Sequence, residues 1–287
     1  MKARFRDEEL SDEWVKQSEE WIGAHKQGPF FLFFASHDIH VPRVAHERFQ
    51  GKSCLGPRGD CILEFDWCVG ELMEMLDRFG IAEKTLVVLC SDNGPVLDDG
   101  YKDFAVEKLG DHQPTGPFSG GKYSVLEDGT RIPFIVRWTG HVKPAVSEQV
   151  VCTSDLAASF AALTGQAIAE NQCLDSFNVM DALLGKPGAK GREFLIQQNN
   201  GGTSFGLRMG EWKLVRQKRP YKTQAVVTKK PIVAPTQLNS LYHLSDDPGE
   251  TRDVSAEHPE VFRHMVELLD KLIADGRSTP GRPQPHD

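Results

Sequence analysis

The 287 residues carry 33 basic and 41 acidic side chains, a formal net charge of -8, with 39% hydrophobic and 26% charged positions. That balance describes a globular chain long enough to bury a sizeable core. It argues against a nucleic-acid partner, which calls for a basic face, while leaving room for a small anion in a local basic pocket. No run reaches the ~18 apolar residues of a membrane span. The opening "MKARFRDEELSDEW" has no apolar core behind its charges, so no secretory peptide is expected in this sequence. The six cysteines, Cys54, Cys61, Cys68, Cys90, Cys152 and Cys173, form no C-x-x-C pair, which speaks against zinc. Cys61 and Cys68 fall on one face of a predicted helix and suit packing as free thiols.

In chain order, the spacing of Leu10, Trp14, Trp21 and Ile22 predicts a helix over 7–26, broken by Gly28-Pro29. "FFLFFA", Phe30 to Ala35, is apolar at every position and predicts a strand buried on both faces. It runs into the polar loop "SHDIHVP". Ile62, Phe65, Val69, Leu72, Met73 and Leu76 mark a second helix over 60–79, with Gly80 just past its end. "TLVVLC", Thr85 to Cys90, is the next strand. Helices alternating with strands predict an α/β fold with a mostly parallel sheet flanked by helices. A polar loop follows over 97–121, long enough to be functional or mobile. An apolar run over 132–136 and helices over 154–163 and 175–184 complete this part.

The composition shifts in "GKPGAKGRE", Gly185 to Glu193, and a boundary is placed there, dividing the chain into 1–188 and 189–287. Beyond it, "FLIQQ", "FGLRMGEWKLVRQ" and "NSLYHLSDD" predict short antiparallel strands. "HPEVFRHMVELLDKLIADG" predicts a closing helix with Pro259 in its first turn. No internal repeat is found, and the proline-rich tail from Arg277 to Asp287 is expected to be extended or loose.

Three sets of residues stand where chemistry would occur. The strand Thr85 to Cys90 ends in Asp92-Asn93-Gly94. A tight turn accounts for Asn-Gly alone, whereas a hard cation such as calcium or magnesium accounts for the carboxylate and carboxamide together. Ligands in open α/β sheets gather at the carboxyl ends of the strands. "SHDIH" sets His37 and His40 at that rim, as loop histidines or as proton donors and acceptors near neutrality. "SGGKYSVLEDGTR" places Lys122 after two glycines, where it is either a solvated lysine or a point charge for sulfate or phosphate. The Walker frame is absent. A cation, a proton-exchanging ring and a basic side chain on one rim would together stabilise a transferring oxyanion group.

The ordered set "GPFFLFFASHDIHVP", "FQGKS", "GDCILEFDWCVGELMEML", "TLVVLCSDNGP", "GGKYSVLEDGTRIPFIVRWTG", "LRMGEWKLV" and "LYHLSDDPGETRDV" resembles the sulfatases, of arylsulfatase type, in the alkaline phosphatase superfamily. The resemblance implies hydrolysis of aryl or carbohydrate sulfate esters at a site holding one calcium ion. Asp92 and Asn93 match two calcium ligands. His40 matches a histidine that contacts the sulfate and assists the leaving group, and Lys122 a lysine that also contacts the sulfate. His37, beside the first match, and His112, in the long loop, are substrate-contact candidates. Such enzymes are typically periplasmic, extracellular or lysosomal.

The family's C/S-x-P-x-R motif, whose cysteine or serine becomes the formylglycine nucleophile, has no good counterpart in this sequence. Neither has the paired-aspartate strand end that completes the calcium site. "CLGPR" has the wrong spacing. Ser278-Thr279-Pro280-Gly281-Arg282 fits literally, but it lies in the tail without the following Thr-Gly. The expectation is therefore a C-terminal portion of a sulfatase, with the N-terminal half as the partner that would complete it. A non-catalytic module or inactive remnant is the alternative. Phosphate ester hydrolysis in the same superfamily is a further one, against which Asp-Asn in place of Asp-His counts.

Overall fold

The computed structural model describes residues 6–217 and 238–284. Residues 1–5, 218–237 and 285–287, which include the start of the N-terminal segment and the end of the proline-rich tail, lie outside the described residues.

Two helices cross over the first hydrophobic cluster. Helix α1 (Leu10–His25) and helix α2 (Pro57–Arg78) bring Val15, Ile22, Cys68, Met75 and Leu76 together with Ile81. Pro57 starts α2 where its missing N–H costs nothing. Cys61 and Cys68 are buried free thiols, as the helical spacing indicated.

The segment 30–35 corrects an expectation. Phe30, Leu32 and Phe34 pack against that cluster, but Phe31 and Phe33 on the opposite face are 71% and 80% exposed. The segment is extended, with no ladder partner among the described residues. Alternation along extended backbone explains the split: one face finds α1 and α2, and the other stays largely exposed, with an edge contact from Phe31 to the Phe160 ring.

Strand β1 (Val87–Cys90) pairs with β2 (Phe134–Arg137), and the pairing is antiparallel, from Val87 opposite Arg137 to Cys90 opposite Phe134. The expected mostly parallel sheet is not seen among the described residues. Alternating helices and strands restrict topology but do not fix the direction of a given pair. Between the two strands lies the one-turn helix α3 (Glu127–Thr130). Helix α4 (Asp155–Leu163) follows, then α5, which is confined to Met180–Leu183 where a longer helix over 175–184 was expected. Asp155 explains the shortening: its carboxylate accepts the backbone N–H of Phe177 at 2.8 Å and holds that stretch out of helix.

Strands β3 (Phe194–Gln198), β4 (Ser204–Met209), β5 (Trp212–Gln217) and β6 (Asn239–His243) form a four-stranded antiparallel sheet in sequential order. Helix α6 (Pro259–Asp275) lays Met265, Leu269 and Leu272 on Leu207, Leu214 and Leu241 of that sheet. This small sheet with its closing helix matches the sequence reading. The tail does not. Arg277 and Ser278 are buried, and Ser278 Oγ donates to Asp175 Oδ1 at 2.6 Å. Thr279 Oγ1 donates to the Leu174 carbonyl at 2.7 Å. Proline content suggested looseness; side-chain hydrogen bonds pin the segment instead. No described helix is long and apolar enough to cross a membrane.

Candidate active site

His40 and Lys122 meet. Lys122 Nζ lies 2.8 Å from His40 Nε2, joining loops 82 positions apart. The other ring nitrogen, Nδ1, is 2.8 Å from the Val41 carbonyl oxygen. A carbonyl only accepts, so Nδ1 carries the proton and Nε2 accepts from the lysine. Lys122 also pairs with Asp99 at 3.3 Å. The Tyr123 hydroxyl donates to the same Asp99 oxygen at 2.7 Å. That hydrogen bond is the largest influence holding the Asp99 carboxyl below its ordinary range, with Lys122 acting in the same direction. Reciprocally, Asp99 pushes the Tyr123 phenol up to about 12.

Sequence reasoning missed Asp99, Tyr123 and Arg43. Arg43 is buried and clamps the loop carrying Asp99 to the loop carrying His40. It donates to the carbonyls of Leu97 at 2.9 Å, Val96 at 2.8 Å and Ile39 at 3.1 Å, and pairs with Asp103 at 2.6 Å. Its one sequence signal is an arginine directly after Val41-Pro42, next to a predicted strand end.

Asp92 and Asn93 directly follow β1. The Asn93 amide nitrogen donates to the Gly94 carbonyl at 2.9 Å, which assigns the amide oxygen as the atom left for a cation. Asp92 is exposed, and its contact with Ser91 Oγ is a long one, 3.5 Å. An exposed carboxylate beside a carboxamide oxygen suits a hard cation, and two such donors fill part of the six to eight positions calcium takes. Gly94 is required at this turn: a Cβ at its position would lie 1.6 Å from the Asp128 carbonyl oxygen. Backbone bonds tie the turn to the lysine loop, with Gly94 N–H donating to Gly129 at 3.1 Å and Lys122 N–H to Pro95 at 3.0 Å.

The remaining candidates diverge. His37 turns inward, 3.4 Å from the buried Asp38 carboxylate, rather than toward Lys122. His112 is exposed in the long loop, and no described contact joins it to the His40–Lys122 pair. Asp38, Cys61 and Glu64 place donor atoms within 4.8 Å of one another. This group does not suit calcium, because a thiol is a soft ligand. Its carboxylates are already engaged: Ser11 Oγ donates to Asp38 at 2.6 Å and the His46 N–H to Glu64 at 3.1 Å. Burial pushes the Glu64 carboxyl up to about 7 and raises that of Asp38. Burial is the main cause of both shifts, and the charge of Asp38 adds to that of Glu64.

Known proteins place this geometry in context. The family model described as Sulfatase matches residues 3–166. The chain is 43% identical over 271 residues to an N-acetylgalactosamine-6-O-sulfatase of Bacteroides thetaiotaomicron, covering 94% of this chain and 52% of that protein. It is 30% identical to human arylsulfatase A, covering 88% of this chain and 52% of that protein. A solved structure from work on the metabolism of multiple glycosaminoglycans by Bacteroides thetaiotaomicron superposes with a TM-score of 0.87 at 42% identity, over 94% of this chain and 55% of that one. The sulfatase PsFucS1 from Pseudoalteromonas shares the fold at a TM-score of 0.75 and 23% identity, over 93% of this chain and 52% of that one. These neighbours have the alkaline-phosphatase-like fold. The chain spans about half the length of the curated relatives it matches.

Proposed function

The chain belongs to the sulfatase family, and from that premise we propose that it carries part of a sulfate-ester hydrolase site. In this reading His40 and Lys122 face the sulfate group, while Asp92 and Asn93 contribute calcium ligands. The observation that carries the proposal is the 2.8 Å contact between Lys122 Nζ and His40 Nε2, which sets a fixed cation against a proton-exchanging ring. Cleavage of the S–O bond releases an oxyanion that needs a proton. In this reading substrate displaces Lys122 from Nε2, a protonated His40 ring gives its Nε2 proton to the leaving oxygen and ends neutral with Nδ1–H still on Val41, and the lysine keeps its charge. Its charge also faces the sulfate oxygens, and Asp99 and Tyr123 hold the ammonium in place. Calcium, when bound, supplies further positive charge beside the sulfate.

The substrate class is a carbohydrate sulfate, specifically a 6-O-sulfated N-acetylgalactosamine unit, supported by the relative of that name at 43% identity. The division at 188/189 gives residues 1–188 the candidate catalytic groups and residues 189–287 the four-stranded sheet. His112 is a substrate-facing candidate in the long loop. The formylglycine nucleophile and the other calcium ligands come, in this reading, from polypeptide outside these 287 residues, in keeping with relatives about twice as long. One observation favours a second reading, in which this chain by itself is a non-catalytic module. Its literal S-x-P-x-R stretch starts at a buried serine whose hydroxyl is bound to Asp175.

The test is sulfate release from N-acetylgalactosamine 6-sulfate by the polypeptide as its host produces it, with Lys122→Ala and His40→Ala as comparisons. Loss of an oxyanion-stabilising group predicts a fall in kcat/KM of about 100-fold or more for each. Undiminished turnover by Lys122→Ala would overturn the assignment. No turnover by the unaltered polypeptide would favour the non-catalytic module.

A further inference from the structure

The four-stranded sheet has two faces, and α6 covers one. The other face meets the turn over 121–129 through buried charge. Lys213 on β5 is fully buried, as are Glu127 in α3 and Glu250 after β6. Lys213 Nζ donates to Glu127 Oε1 at 2.9 Å and also to Gln197 on β3. Arg208 on β4 donates to Glu127 Oε2 at 3.0 Å. Glu250 accepts the backbone N–H of Glu127 at 2.6 Å. One glutamate is thus held by β4, by β5 and by the segment after β6. Around it, Val125 and Leu126 pack on Val215 and Tyr242.

The same turn supports both halves of the candidate site. Gly94, next to Asp92 and Asn93, donates to Gly129 and leaves no room for a Cβ against Asp128. Lys122 opens the turn, and Ser124 N–H donates back to Gly121 at 3.1 Å. A buried ion pair is a poor source of stability, since desolvation offsets most of its attraction. A packed apolar contact would serve a purely stabilising role as well. Fixed charge-assisted hydrogen bonds instead define one placement of the turn.

We propose that Lys213, Glu127 and Glu250 are positioning residues, through which the four-stranded sheet sets the turn bearing Lys122 and supporting Asp92 and Asn93. The meaning of this coupling rests on the reading of those three as site residues; the coupling itself does not. Burial pushes the Glu250 carboxyl up to about 7, so near neutrality it holds its place beside Glu127 with reduced repulsion.

Hydrogen–deuterium exchange without ligand tests the proposal on Lys213→Met. Peptides covering 91–96 and 119–130 are expected to exchange at least about 10-fold faster than in the unaltered chain, with those of α1 and α2 unchanged. Faster exchange confined to the four strands and α6, with 91–96 and 119–130 as protected as before, overturns it. Arg208→Met, at a partly exposed position, guards against a misfolded Lys213 variant. It should loosen the same two segments to a smaller degree, and no change there counts against the proposal. An inactive enzyme leaves this result standing, and an active one does not rescue it.

Discussion

At His40 a single backbone carbonyl decides the chemistry of a side chain. With Nδ1 committed to Val41, the ring presents Nε2 to Lys122. The residues were legible as candidates because each follows an apolar run or a glycine pair. Their contact was not, because it depends on two loops separated by most of a domain. Asp99 was invisible for a related reason: an acidic residue in a polar loop looks like a solvated one until Lys122 and Tyr123 are found against it. His37 shows the converse. Its position suggested the rim, but its ring nitrogens are buried, with Nε2 3.4 Å from Asp38.

Glu64 allows a prediction with a definite sign. Burial, followed by the nearby Asp38 charge, raises its folded-state pKa to about 7, above the ordinary glutamate value. The folded chain therefore holds this proton between roughly pH 4.5 and 7, where the unfolded chain has released it. Its contribution is intact below that window and is lost as pH rises through it. Glu64→Gln, a neutral isostere that keeps an acceptor for the His46 N–H, should raise Tm more at pH 8 than at pH 5. Equal shifts at both pH values in thermal melts would exclude the assignment.

Among the elements, α1, α2, β1, β2, the four-stranded sheet and α6 follow from hydrophobic period and turn residues, within a few positions of their observed bounds. At α5 and in the tail, where the reading failed, a polar side chain had intervened. Asp155 is the clearest case. It starts α4, accepts N–H groups from Cys152 at 2.9 Å and Phe177 at 2.8 Å, and receives a bidentate pair from Arg192 at 2.7 and 2.8 Å. Both partners are almost completely buried. Nothing in a linear pattern ties residue 155 to residue 192. Removing one member leaves an unpaired buried charge, so Arg192→Met should destabilise by about 3–5 kcal/mol. A urea midpoint within error of the unaltered chain would show that the pair is dispensable.

For the whole molecule, the two largest hydrophobic clusters are separate: one beneath α1 and α2, the other between α6 and the four-stranded sheet. The outer face of 30–35 belongs to neither. Phe31 and Phe33 stand 71% and 80% exposed. Burying a phenylalanine side chain is worth ~1.5–3 kcal/mol, so this strip favours association. The 287-residue chain should sediment as a self-associating species, and Phe31→Lys/Phe33→Lys should shift it toward monomer. Monomeric sedimentation of the unaltered chain at micromolar concentration would remove the strip from consideration. The sequence could place six apolar residues on a strand but could not say how many of its faces would be covered, since coverage depends on every other element.

The pinned tail has a consequence for chain continuity. Ser278 and Thr279, which follow α6, return to Leu174 and Asp175, which precede α5. Arg192 reaches the Asp175 carbonyl from the other side of the exposed Gly185–Gly188 stretch. Segments far apart along the backbone are thus knotted at one carboxylate and its neighbours. A break in the peptide chain at Lys186 would separate the covalent halves without parting them, and a cut polypeptide of this kind would still travel as one particle.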